Sequence, residues 1–223
     1  MLVHVVRVFV DEEGRHGNPL GVVLDAAAMP PEERQEIARS LNFSETVFVG
    51  DAAEGRIRIH TPAEEIALAG HPLVGTAWLL SRLGYAVNAL RPVLAGPVAV
   101  WQEGCVTWVR ARVEDAPDWG FVQMREPSEV EALGGPPAPE YDLHEFWAWQ
   151  DEAAGRVRAR VFASRLGIPE DEATGSGALR LAALIGRPLT IVQGRGSVVF
   201  ARPAAGGFAE IGGRVVSDGE RQV

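Results

Sequence analysis

The sequence contains no lysine and a single cysteine, and each scarcity excludes classes of enzyme. All 21 basic residues are arginine, so catalysis through a lysine amine, as in Schiff-base enzymes, lysine-linked pyridoxal-phosphate enzymes and Walker P-loops, is excluded. The lone Cys105 cannot build an internal disulfide framework or a cysteine-based zinc or iron–sulfur site. No His-x-x-x-His pair or carboxylate cluster occurs, so we expect no metal site.

Long apolar runs and excess positive charge are also missing. No apolar run reaches the roughly 20 residues that span a bilayer, and the N-terminus lacks the basic segment and apolar stretch of a signal peptide. We therefore expect a cytoplasmic protein with no membrane partner. The net charge of −9 would repel a phosphate backbone, so no nucleic-acid partner is expected.

Two strongly apolar helices are predicted, one in each half of the 223-residue chain, and each is entered through a turn of small residues and ends at a glycine. The first follows Ala69–Pro72 and the second follows Ala173–Gly177. Runs rich in β-branched residues flank both helices and predict strands. We therefore predict an α+β fold of two pseudo-symmetric units, residues 1–108 and 109–223. Each would be a curved, mostly antiparallel sheet wrapped around its central helix.

The remaining predicted elements fill most of the chain. Strands are predicted at residues 2–10, 20–24, 46–49, 56–60, 98–113, 119–124, 144–149, 156–163, 189–193, 196–201 and 208–216. A third helix is predicted to begin at Pro30–Glu33, because proline suits a first turn and acidic side chains favour the positive end of the helix dipole. The stretch 125–140, rich in proline, glycine and glutamate, predicts a loop.

Two residues of the first half are candidates for proton chemistry. Glu45 lies where a predicted helix gives way to a strand, and it is either a solvated loop carboxylate or an acid/base. The second role needs a pocket that raises its pKa towards neutrality, so that it can both take and return a proton. His71 begins the first apolar helix, where free backbone N–H groups attract anions. It either packs there or donates to a carboxylate and helps to carry a proton.

The second half repeats the arrangement at Gly175–Gly177. This turn could form a second anion-binding site, or it could simply allow close packing of helix against strand. Asp171, which precedes it, could be a turn or capping aspartate. Thr174–Gly177 resembles half of a nucleophile elbow, but that motif requires glycine at position 174. A Ser176 hydrolase would need His71 to reach Ser176.

Five segments carry a family resemblance, and they are Gly17–Val23, Asn42–Val49, Ile57–Glu65, Ala69–Ala77 and Glu170–Ser176. In this order and approximate spacing they resemble the PhzF-like phenazine-biosynthesis isomerase family. The resemblance is tight over residues 1–83 and 156–200 and poor between about 115 and 155. It implies the diaminopimelate epimerase-like fold, in which two halves each wrap a sheet around a central helix and the active site lies between them.

The resemblance implies a cofactor-independent isomerase that acts on a small carboxylate-bearing metabolite. Glu45 matches the family's glutamate acid/base, which would remove a proton from carbon and return it elsewhere on the same face. His71 and Asp171 match residues that would tune or relay that proton. A homodimer is the implied assembly. The alternative is a relative that binds a small acid without converting it, since the second half is shorter than is usual in the family.

The resemblance also implies how the substrate is held. Backbone amides at Gly70 and Gly175, together with Ser176 and Thr174, would bind the substrate's carboxylate. Related epimerases use one cysteine from each half as paired bases, and the matching positions here are Ala69 and Thr174. We therefore expect proton transfer by one carboxylate rather than a two-thiol racemase.

Two positions depart from the family's usual pattern. Glu172 stands where the family usually has proline, and His60 stands where it usually has an aromatic residue. The family's phenazine substrate is therefore not implied, although the residues for proton transfer are all present.

Overall fold

A computed structural model describes residues 1–166 and 168–223. Within these ranges the chain forms four α-helices, α1 to α4, at Pro31–Leu41, Gly70–Arg82, Pro127–Glu131 and Gly175–Ile185. The strands, β1 to β15 in chain order, are Leu2–Val10, Asn18–Val23, Glu45–Asp51, Arg56–His60, Glu65–Ile66, Ala89–Pro92, Val98–Glu103, Val106–Arg112, Gly120–Gln123, His144–Asp151, Arg156–Ala163, Ile168–Asp171, Leu189–Gln193, Ser197–Ala204 and Phe208–Gln222. Short 3-10 turns lie at Val113–Asp115, Pro139–Tyr141 and Ser164–Leu166.

The pattern of strand pairing repeats in the two halves. In the first, β2–β3 and β4–β6 pair in parallel, while β3–β4, β6–β7 and β7–β8 pair antiparallel. In the second half, β9–β10 and β11–β13 pair in parallel, while β10–β11, β13–β14 and β14–β15 pair antiparallel. Each parallel pair is connected through a helix, because parallel neighbours need a crossover connection. The predicted α+β fold with two pseudo-symmetric halves is confirmed.

The two central helices are buried in the sheets, as their composition predicts. In α2, residues 71–77, 79 and 80 are buried, and in α4, residues 175, 177–179, 181 and 182 are buried. Both helices contribute to one large apolar cluster that also contains side chains from the strands of both halves. A smaller cluster forms where Ile37 and Ala38 of α1 pack on the outer face of the first sheet against Phe48. The helix starts are thereby fixed at the centre of the molecule.

The last strand joins the two halves. β15 pairs with β14 and β8 through its first part and with β1 through its second part, from Val10↔Arg214 to Leu2↔Gln222. β15 therefore extends beyond the predicted limit of residue 216. Because its second part pairs with β1, the strands β1-β2-β3-β4-β6-β7-β8-β15 form a closed ring. The predicted boundary between residues 108 and 109 falls inside β8. The division into units 1–108 and 109–223 stays a prediction.

The prediction of a loop over 125–140 was wrong in part, because this stretch contains α3. Pro127 occupies the first turn, and the Glu129 carboxylate accepts a hydrogen bond of 2.9 Å from the backbone N–H of Arg125. By its place between β9 and β10, α3 is the counterpart of α1, but it has five residues instead of eleven. The shortening expected in the second half is therefore visible here.

In the part of the chain that the structure describes, none of the helices combines the length and apolar character that crossing a membrane requires. A cytoplasmic location stays a prediction.

Candidate active site

Helices α2 and α4 begin beside each other, at Gly70 and Gly175. A Cβ atom on Gly70 would lie 2.7 Å from Gly175 Cα, and one on Gly175 would lie 2.9 Å from Gly70 Cα. Both positions therefore need glycine. Neither helix has an acidic residue in its first turn or a side-chain cap. The free N–H groups at the positive ends of two helices thus converge, and such an arrangement binds anions.

Both helix starts open into a cavity of about 600 Å³ between the two halves. The predicted site residues all line it, namely Glu45, Gly70, His71, Asp171, Thr174, Gly175 and Ser176. Its apolar wall comes from both halves and includes Ile66, Leu68, Trp119, Leu143 and Ile168. A second cavity of about 560 Å³ is lined by Arg158 and Arg160, which are already paired with Glu131 and Glu170. The central cavity therefore brings the predicted site residues together, and their chemical roles stay predictions.

Glu45 is the first residue of β3, and its side chain is held against His71. Glu45 Oε2 lies 3.4 Å from His71 Nε2, with the two side chains 14% and 4% exposed. Neither atom has a hydrogen-bond partner among the described residues. Burial, with a smaller contribution from the charge of Asp171, raises the pKa of Glu45 to about 8. The carboxyl of Glu45 is thus mostly protonated at neutral pH.

His71 carries no positive charge near neutrality. Burial lowers its pKa to about 3, although a hydrogen bond with the backbone of Pro19 opposes this. At neutral pH the imidazole of His71 is thus uncharged, and the carboxyl of Glu45 carries the proton, with Oε2 and Nε2 3.4 Å apart. Since a good general acid/base has a pKa near the working pH, Glu45 is poised both to give and to accept a proton.

Asp171 is positioned by hydrogen bonds from both halves. Asn18 Nδ2, at the start of β2, donates to Asp171 Oδ1 at 2.7 Å, and Thr174 Oγ1 donates to Asp171 Oδ2 at 2.7 Å. Gln193 Nε2 in turn donates to Thr174 Oγ1 and to the Asp171 carbonyl, while its Oε1 accepts from Thr174 N. Burial raises the pKa of Asp171 to about 6, and the hydrogen bonds from Thr174 and Asn18 limit this rise. Asp171 is therefore mostly ionised at neutral pH.

Ser176 is oriented by a tryptophan. Trp119 Nε1 donates a hydrogen bond of 2.9 Å to Ser176 Oγ. This leaves the serine hydroxyl free to donate its own proton to an anion. His71 Nε2 instead contacts Glu45. The pairing of Ser176 with His71 that a hydrolase would require is therefore not formed, and the hydrolase alternative loses its support.

Three residues of this site were not picked out from the sequence. Asn18 lies in the segment Gly17–Val23, which carries part of the family resemblance, and this resemblance could have identified it as a site residue. Trp119 lies in the region of poor resemblance, and no motif marked it. Gln193 ends a predicted strand, and its 0% exposure is a property of the folded chain alone. Each takes part through contacts distant in sequence, which spacing does not reveal.

The two departures from the family pattern, His60 and Glu172, have different surroundings. His60 is buried, packs edge-on to Phe48 with 5.2 Å between ring centroids, and places Nδ1 3.0 Å from Gln35 Oε1. Glu172 accepts hydrogen bonds from Ser197 Oγ at 2.7 Å and from Arg195 N at 3.0 Å. His60 thus serves local structure, whereas the charge of Glu172 also raises the pKa of Asp171.

We expect Asn18→Ala to raise the pKa of Asp171 by about one unit, because a hydrogen bond to a charged group contributes about 1.5–3 kcal/mol and one pKa unit corresponds to about 1.4 kcal/mol. An NMR pH titration of the Asp171 carboxyl carbon measures the change. The control is Asn88→Ala, at an exposed position. An unchanged titration in Asn18→Ala would show that the 2.7 Å contact does not stabilise the charge.

Comparison with known proteins adds independent findings. Residues 6–120 match the family model of phenazine biosynthesis-like proteins. The trans-2,3-dihydro-3-hydroxyanthranilate isomerase of Pseudomonas fluorescens is 30% identical over 235 residues, and the match covers 83% of this chain and 84% of that protein.

Solved structures share the fold. A phenazine biosynthesis PhzC/PhzF protein of Clostridium difficile (strain 630) matches with a TM-score of 0.80 at 20% identity, over 100% of this chain and 99% of that one. A protein described as a proline racemase, from Agrobacterium radiobacter K84, matches with a TM-score of 0.62 at 14% identity, over 100% and 92% of the two chains. The fold is therefore that of the epimerase-like proteins.

Proposed function

Because this chain belongs to the phenazine biosynthesis-like protein family and is an isomerase, we propose that it moves a proton within a small carboxylate-bearing metabolite, with Glu45 as the acid/base. The observation that carries the proposal is the place of Glu45, a titratable carboxyl lining the cavity into which two helix starts direct their free amides. A carboxylate held by those amides would present its neighbouring carbon atoms to Glu45.

The proposed step begins with the substrate's carboxylate on the amides near Gly70 and Gly175. Ionised Glu45 takes a proton from a carbon atom made acidic by an adjacent double bond, and the electron pair of the broken C–H bond moves into that π-system. Glu45 then returns the proton to another carbon on the same face. With a pKa of about 8, ionising Glu45 at pH 7 costs about 1.4 kcal/mol. The helix ends stabilise the negative charge that spreads over the substrate.

The lining of the cavity supports an apolar ring or chain in the rest of the substrate. Trp119 and Leu143 from the second half line the cavity together with Ile66 and Leu68 from the first. Apolar walls with a few convergent polar groups are typical of small-molecule sites. His71 and Asp171 would then act at the reacting end, where His71 exchanges the proton with Glu45 and Asp171 supplies a fixed negative charge.

Proton exchange in heavy water tests the proposal. The probe is trans-2,3-dihydro-3-hydroxyanthranilate, after which the Pseudomonas fluorescens relative is named. We expect deuterium to enter carbon positions of the recovered compound, as measured by mass spectrometry and NMR. Binding by calorimetry without any deuterium uptake would instead support the alternative of a binding protein. That alternative is motivated by the five-residue α3.

We also propose that the protein acts as a homodimer in the cytoplasm, with no cofactor. Light scattering of the purified protein at several concentrations measures the assembly. A monomer at all concentrations would contradict it.

A further inference from the structure

A second buried glutamate occupies the position in β10 that Glu45 occupies in β3. The two hairpins share their register: Asp51 pairs with Arg56 after a bulge in the first half, and Asp151 pairs with Arg156 after a bulge in the second. Counting back the same number of residues along each strand leads to Glu45 and to Glu145. The fold's internal repeat therefore places a carboxyl at equivalent points in both halves.

Glu145 lies directly beneath the first turn of α4. A Cβ on residue 177 would lie 2.6 Å from Glu145 Oε2, so glycine at that position admits the carboxyl. Glu145 pairs across the sheet with Val161, and Val161 pairs with Asp171. Side chains opposite each other on neighbouring strands share a face. Glu145 is therefore on the same sheet face as Asp171, behind the helix start that lines the cavity.

The Glu145 carboxyl is fully buried and has no partner. The residue is 0% exposed, and neither side-chain oxygen has a hydrogen bond to any described residue. The proposed reaction does not use it, since it is absent from the lining of the central cavity. A buried polar group without a partner costs about 1–3 kcal/mol, and an ionised one costs more.

The groups around Glu145 leave its charge uncompensated. On β11, Val157, Ala159 and Val161 share its face, whereas Arg158 and Arg160 lie on the opposite face with Glu131 and Glu170. These four charged groups, including Glu131 of α3, thus balance one another away from Glu145.

The other packed elements add few charges. β9 has no titratable side chain, and Arg180 of α4 is paired with Asp118. Asp171 of β12 is the charged group in the same row. Burial raises the pKa of Glu145 to about 8, so its carboxyl is neutral at pH 7.

We propose that Glu145 is a positioning residue that must stay uncharged for the start of α4 to hold the substrate's carboxylate, and that its ionisation limits anion binding in alkaline solution. The neutral acid leaves the positive helix end for the ligand, whereas a carboxylate beneath Gly177 opposes it. Two like charges roughly 10 Å apart in a protein interior lower affinity by about tenfold or more. This inference rests on the proposed anion site.

Calorimetry with anthranilate, a carboxylate that offers no proton on a saturated carbon, tests the inference between pH 7 and 10. Glu45→Gln serves as the background, because it removes the cavity carboxyl that titrates in the same range. We expect the Kd of Glu45→Gln for anthranilate to rise about tenfold from pH 7 to 10. The Kd of the double variant Glu45→Gln/Glu145→Gln should change less than twofold. Equal rises in both variants, or no binding by either, would overturn the inference.

Infrared spectroscopy gives a readout that needs no ligand. In the spectrum of Glu45→Gln, the carbonyl band of the protonated Glu145 carboxyl should disappear as the pH is raised, with a midpoint near pH 8. The double variant should lack this band. A band that persists in the double variant would assign the proton to another group and reject the inference. Failure of the proposed function looks different, since heavy-water exchange would then be absent while anthranilate binding kept its pH dependence.

Discussion

Glu45→Gln is expected to lower the turnover of trans-2,3-dihydro-3-hydroxyanthranilate by about 10²–10⁴-fold, the usual contribution of a general acid/base. The amide has nearly the shape of the carboxyl but cannot accept and return a proton. Because the two helix starts are untouched, the affinity for the substrate's carboxylate at pH 7 should change little. Stopped assays for kcat, with calorimetry for binding, separate the two effects.

The matched control is Glu64→Gln, the same chemical change at an exposed residue that also lines the cavity, in the turn between β4 and β5. It should keep kcat within about twofold of the parent protein. If Glu45→Gln retained full turnover, Glu45 would not be the proton carrier. If both variants lost turnover equally, a general loss of negative charge near the cavity would be responsible.

The pH dependence of the free energy of unfolding provides a second test of Glu45→Gln. The folded pKa of Glu45 is about 8 and the ordinary value is 4.5, so between these values the unfolded chain loses this proton while the folded chain keeps it. The free energy of unfolding of the parent protein therefore falls as pH rises from about 4.5 to 8. The glutamine variant lacks this contribution. It should gain stability relative to the parent over that range, as denaturant unfolding measures.

Gly175→Ala is expected to disrupt both folding and binding. The added Cβ would lie 2.9 Å from Gly70 Cα and 2.9 Å from Ile211 Cδ1. Because one of these contacts is backbone, the two helix starts must separate. Overpacking of this kind costs about 1–3 kcal/mol. The separation would also move the N–H groups that converge on the anion, so anthranilate should bind at least tenfold more weakly.

The control for Gly175→Ala is Gly96→Ala. A Cβ at residue 96 would meet nothing within 4 Å, so the free energy of unfolding should change by less than about 0.5 kcal/mol. Thermal unfolding and anthranilate calorimetry of both variants make the comparison. A Gly175→Ala protein with normal stability and normal affinity would show that the close approach of the helices is not required.

The sequence predicted the long elements well because local patterns determine them. β-branched runs predicted β1 and β11, and apolar composition after small-residue turns predicted α2 and α4. It missed the short strands β5, β6 and β12, which have two to four residues. These strands depend on pairing with neighbouring strands: β5 with β4, β6 with β4 and β7, and β12 with β11. α3 was missed because the stretch 125–140 that contains it is rich in proline, glycine and glutamate, a composition equally typical of a loop.

The sequence predicted which residues line the candidate site, but not the residues that hold them in place through hydrogen bonds. The order of the five motifs identified Glu45, His71 and Asp171 as candidates, and the structure places all three in one cavity. The bond from Asn18 to Asp171 spans 153 positions, and no local pattern encodes such a contact. The burial that moves the pKa values of Glu45 and Glu145 is also a result of folding, since a glutamate in an unfolded chain titrates normally.

The ring of strands that β15 completes has a consequence for biosynthesis. On the ribosome, β1 through β8 emerge first, yet the edge of β1 stays open until β15 has been made. This ring of strands can therefore close only after the rest of the chain has been translated, and the open edge of β1 is exposed to other nascent chains during that time. Protection against aggregation during synthesis should thus matter more for this protein than for one whose halves close independently.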